Sequence, residues 1–78
     1  MPVTINSKGS MVTIRATAVP FDLLAAAIGE SKHVGKPRVF GDLDSGNVVV
    51  LVERFDPFTK HQIRFNLEKA GVRVAYGS

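Results

Sequence analysis

The chain has no cysteine. That excludes a disulfide framework and a thiolate-held zinc, the usual staples of small secreted domains, and makes a reducing compartment the default expectation. No apolar run approaches the roughly 18 residues of a membrane-spanning helix. The opening Met1-Pro2-Val3-Thr4 has neither the basic segment nor the long apolar stretch of a signal peptide. The sequence therefore predicts a soluble, cytoplasmic protein without a membrane partner. Catalytic, metal-binding and cofactor signatures are missing as well, so no motif names the function, and no metal or cofactor is expected.

What is present is a short, apolar and mildly basic chain. Its 78 residues are one domain near the lower size limit for a self-sufficient core, and the 45% hydrophobic content is rich for that length. A homodimer would bury more of it. Ten Lys/Arg against seven Asp/Glu give a net charge of +3. The basic excess falls in the first forty residues, where Lys8, Arg15, Lys32, Lys36 and Arg38 face only Asp22 and Glu30. Attraction for an anionic partner should arise there.

Hydrophobic periodicity predicts an α+β domain spanning residues 1–78, in the order ββαββαβ, with two helices on a mixed, mostly antiparallel sheet. Val3-Thr4-Ile5 and the segment from Met11 to Ala18 flank the turn-forming Asn6-Ser7-Lys8-Gly9-Ser10, which reads as a hairpin. Pro20 suits a first helical position, and Phe21, Leu24, Ala25 and Ile28 recur at helical spacing until Gly29. Residues 30–37 read as a loop, Arg38-Val39-Phe40 as a short strand and residues 42–47 as a turn. The run Val48-Val49-Val50-Leu51-Val52 is apolar at both parities, the pattern of a central strand covered on both faces. Asp56 as N-cap and Pro57 at the next position predict a second helix running through Ala70 to a stop at Gly71, followed by a last strand from Val72 to Tyr76.

The second helix carries two apolar stripes where a simple layer needs one. Ile63, Leu67 and Ala70 share a side, whereas Phe58 and Phe65, seven residues apart, fall nearly opposite. Either that pair folds beneath the first helix or the C-terminus, or Phe58, His61, Phe65 and Lys69 form a partner-binding surface.

Other constellations carry less. Residues 32–38, Lys-His-Val-Gly-Lys-Pro-Arg, form the densest basic stretch, and Gly35 allows close backbone approach to a phosphate. Cations after a helix C-terminus are also favoured by the helix dipole alone. Asp42, Asp44 and Glu53 are spaced like acids of a calcium loop, but Gly46 and Asn47 stand in the reverse of the order that loop requires, so a hairpin turn accounts for them. The helical face bearing Lys60, His61, Arg64 and Glu68 reads as solvated charge. The serines 7, 10, 31, 45 and 78 have only His33 and His61 as bases, and none lies at a strained strand-to-helix elbow.

Val3-Thr4-Ile5-Asn6-Ser7-Lys8-Gly9-Ser10, followed by Val12-Thr13-Ile14 and the helix from Leu24, resembles the swapped-hairpin AbrB-type DNA-binding fold over less than half of the chain. Met11 is an extra residue against that pattern, Arg15 stands where the family has Pro, and the second helix has no counterpart. Gly9-Ser10-Met11 also reads as a junction between an added leader and a chain beginning at Met11.

These readings converge on a small non-enzymatic binding or regulatory module that docks on a protein or nucleic acid, as a homodimer, through Phe58, His61, Phe65 and Lys69. The alternative is a DNA- or RNA-binding regulator contacting phosphates through Lys8, Arg15, Lys32, Lys36 and Arg38. A third is a small enzyme, which at this length would need a pocket between subunits.

Overall fold

A computed structural model describes residues 2–77; Met1 and Ser78 lie outside the described residues. The chain builds β1 (Val3–Lys8), β2 (Met11–Ala16), α1 (Phe21–Gly29), β3 (His33–Asp42), β4 (Asn47–Arg54), α2 (Thr59–Lys69) and β5 (Val74–Tyr76). This is the expected ββαββαβ order. The strands form one sheet in the order β3-β4-β2-β1-β5, antiparallel except for the parallel β1–β5 pair.

One parity of every central strand is buried. Val3 and Ile5, Val12 and Ile14, and Val48, Val50 and Val52 are all at most 2% exposed. They pack with Leu24, Ala27 and Ile28 of α1 and with Ile63 and Leu67 of α2 in a single core. Both helices therefore cover the same face. On β4 the other parity is not sealed: Val49 and Leu51 are only half-buried. The expectation of a strand covered on both faces is corrected accordingly. An apolar run can report β-branched strand preference as well as double burial, and here the second parity reports the preference alone.

Several boundaries also move: β1 runs on to Lys8, β2 stops at Ala16 rather than Ala18, and β5 starts at Val74 rather than Val72. β3 is ten residues long rather than three, because His33 and Val34 already pair with Arg54 and Glu53 of β4. The register then shifts between Val34 and Arg38, where Gly35 and Pro37 interrupt the ladder, so residues 33–37 are an irregular edge strand rather than a loop. Pro20 occupies the N-cap of α1 and not its first turn.

α2 starts at Thr59, after a turn. Asp56 Oδ1 accepts the Phe58 N–H at 2.8 Å, the bond expected of a cap, but within this turn. The later start has a visible cause. Thr59 is fully buried, and its Oγ1 accepts the N–H groups of Phe55 (3.0 Å) and Asp56 (3.4 Å) while donating to the Lys32 carbonyl at 2.8 Å. At the other end Ala70 is exposed at the C-cap rather than on the sheet-facing stripe. Gly71, at φ 92°, donates to the Glu68 carbonyl and Val72 to that of Leu67, which is a Schellman stop.

The N-terminal hairpin is integral. β1 lies between β2 and β5 of the same chain, and two of its side chains belong to the core, so residues 3–8 are part of the fold. The β3–β4 turn is anchored too: Gly46, at φ 78°, lies so close to Val19 that a Cβ there would come within 2.5 Å of the Val19 carbonyl oxygen. Among the described residues, no helix is long and apolar enough to cross a membrane.

Candidate binding surfaces

The two-layer architecture leaves two faces bare, the outside of the helices and the outside of the sheet. On the helical side, Thr59, Gln62 and Asn66 form the stripe of α2 that turns toward α1. Gln62 Oε1 accepts the Lys32 N–H at 2.8 Å, and Asn66 Nδ2 donates to the Ala27 carbonyl at 3.0 Å. These bonds bind α2 to the end of α1 and orient the rest of the helix outward. Phe58 and Phe65 are then 64% and 63% exposed, so neither folds beneath the first helix or the C-terminus.

The two rings border a groove of about 400 Å³ that Lys32, His61 and Gln62 also line. Lys69 lies beside it, with its ammonium 5.6 Å from the Phe65 ring centre. The four residues expected as a docking surface thus share one side of α2. Lys32, expected among the phosphate contacts, belongs to this side as well.

Tyr76 is a member of this surface that the sequence reading did not single out. The parallel register of β5 on β1 sets Tyr76 opposite Ile5 and brings its ring to α2. There its hydroxyl is hydrogen-bonded to His61 Nδ1, and the Arg64 guanidinium and Lys60 ammonium stand 4.8 and 5.3 Å from its ring centre. Arg64 also pairs with Glu68 at 3.2 Å. The Tyr76 hydrogen bond first, and then the Glu68 charge, hold the Arg64 pKa above its ordinary value. The face bearing Lys60, His61, Arg64 and Glu68 is therefore an ordered aromatic and cationic cluster, not merely solvated charge. A parallel strand pairing across most of the chain leaves no local signal that could have revealed it.

The uncovered side of the sheet can be read from the strand register. Thr4, Arg15, Val49 and Phe40 form one row across β1, β2, β4 and β3, followed by Asn6, Thr13, Leu51 and Arg38. The third row is Lys8, Met11, Glu53 and Val34. Lys36, in the irregular part of β3, joins Arg38, Met11 and Leu51 around a depression of about 320 Å³. Four of the five basic residues expected as nucleic-acid contacts are thus on this face, and Lys32 is on the other side. Phe40, 54% exposed, is the residue missed here. Its alternation with Val39, which sits opposite the buried Val50, was the available signal.

A third hollow, of about 300 Å³, opens between α1 and β3 and is apolar except for His33, whose Nδ1–H donates to the Ser31 carbonyl. Asp42 serves the turn, its Oδ1 accepting the Asp44 N–H at 3.0 Å, and no group of three metal-ligating side chains occurs among the described residues. No protein-family model matches the chain, and no curated protein or solved structure matches it either.

Proposed function

We propose that this protein is a non-enzymatic binding module that captures an acidic segment of a partner protein, with apolar anchors, on the outer face of α2. The observation that supports this most is the exposure of Phe58 and Phe65 on either side of one groove. Two large rings left in water by so small a domain are unfavourable unless a partner covers them, and aromatic anchors carry much of the energy of protein interfaces. Lys32, His61 and Lys69 flank them, with Glu30 the acid at the groove and Glu68 engaged by Arg64. An acidic segment complements that field. A second copy of this face would bring cation against cation, so the reading favours a different partner over the homodimer.

Selection from a random peptide library on the immobilised protein tests the reading. Enriched peptides should combine aromatic or aliphatic residues with Asp and Glu. Phe65→Glu should abolish their binding while preserving the circular dichroism spectrum. Peptides without acidic residues, or peptides held equally well by Phe65→Glu, would overturn it.

A further inference from the structure

We propose that the opposite surface, the open face of the sheet, is a second binding site, and that its ligand is single-stranded nucleic acid. The inference is independent of the helical docking face.

Charge comes first. Lys8, Arg15, Lys36 and Arg38 come from β1, β2 and β3, separated by up to 30 positions in the chain, yet the register brings them to one surface. Among the described residues none of the four is in an ion pair. Two acids share this face: Glu53, in the row of Lys8 and beside the same depression as Lys36 and Arg38, and Asp42 at the end of β3, whose carboxylate already accepts a backbone N–H. The four cations outnumber these two acids, and the face is net cationic. A polyanion fits that field, and a second copy does not, because face-to-face pairing would oppose like charges.

Shape and chemistry then choose among polyanions. Phe40 stands in the same surface, next to Val49 across the strands and two residues from Arg38 along its own strand. An exposed ring beside guanidinium groups is the arrangement on which an unpaired base stacks while its phosphates meet the cations. Duplex DNA fits poorly. Five strands at about 4.8 Å spacing make a face about 19 Å wide, whereas the major groove is about 12 Å wide. A flexible single strand can lie across such a surface and turn its bases toward it.

Fluorescence anisotropy with a labelled twelve-nucleotide oligodeoxythymidine, the matching oligouridine and a duplex of the same length tests the site. The single strands should bind at least tenfold more tightly than the duplex. Neutralising three phosphates gives a slope of log K against log salt of about −2. Phe40→Ala should weaken binding about 5- to 100-fold by removing the stacking surface. Arg38→Gln should weaken it and flatten the salt slope by about 0.7. Phe65→Ser, on the other face, should bind as the parent does, and circular dichroism should show all three variants folded. Absence of oligonucleotide binding at low salt would overturn the proposal. So would equal affinity for duplex, or binding indifferent to both Phe40→Ala and Arg38→Gln. Binding of anionic lipid vesicles in place of oligonucleotides, or a dimer that dissociates on Phe40→Ala, would assign the face to a membrane surface or a second copy and overturn it equally.

Discussion

Val50 and Leu51 are neighbours in sequence and opposites in environment. Val50 is fully buried between the sheet and α1, while Leu51, pointing the other way, is half-buried between Thr13 and Arg38 with no layer above it. The same division runs through the whole sheet. Its covered face contributes Val, Ile and Ala to the core, and its bare face mixes Val49, Leu51 and Met11 with Arg15, Arg38 and Lys8. A surface that only had to be wet would need neither the aliphatics nor the ring of Phe40. The difference teaches that half of an apolar strand here belongs to the stability of the domain and the other half remains available to a ligand.

The sharpest way to break this comparison is to remove equivalent volume from the two faces. Ile14→Ala, on the covered side, should cost about 2–5 kcal/mol, a large part of the stability of a domain this small. Leu51→Ala, on the bare side, should cost less than about 1 kcal/mol, because much of that side chain is already hydrated. Urea midpoints at a common slope would measure both. Similar losses at the two positions would mean that the bare face is covered in solution.

The next effect concerns what holds the covering layer in place. Thr59→Val keeps the side-chain shape but removes the hydroxyl that joins Phe55, Asp56 and the Lys32 carbonyl. Leaving those groups unpaired should cost about 1–3 kcal/mol. Amide hydrogen exchange should quicken first in α2 and at residues 55 and 56. A loss spread evenly through the sheet would show that Thr59 does not act as the tie between the helices.

The layer was legible from sequence where the signal was local. The N-terminal hairpin, the stop at Gly71 and the two stripes of α2 all follow from local spacing, and the element order came with them. The rest depended on partners far along the chain. Residues 33–37 extend β3 because β4 offers them a ladder, and Thr59 displaces the start of α2 because the Lys32 carbonyl, 27 residues away, needs a donor. Site prediction divides the same way. Phe58 at the N-cap and His61, Phe65 and Lys69 within α2 follow one helical spacing, so their grouping was readable, whereas the sorting of Lys8, Arg15, Lys36 and Arg38 from Lys32 onto opposite faces required the strand register.

A smaller effect is expected at the turn before α2. Asp56→Ala removes the acceptor of the Phe58 N–H and should cost about 1 kcal/mol, leaving the helix content unchanged. An unchanged melting curve would show that Thr59 alone fixes the turn.

The smallest effect, and the most informative about the outer face of α2, belongs to the two exposed phenylalanines. If Phe58 and Phe65 are as exposed in the free protein as in the structure, then Phe58→Ser and Phe65→Ser remove little packing and should each shift stability by less than about 0.5 kcal/mol. The urea midpoint should also be independent of protein concentration, since self-association would stabilise the folded state by mass action. A midpoint that rises with concentration in the parent, but not in Phe65→Ser, would place a second copy on the rings despite the opposing cations. A loss above about 1.5 kcal/mol in dilute protein would mean that the rings are packed within one chain, and the face would then belong to the core rather than to a partner.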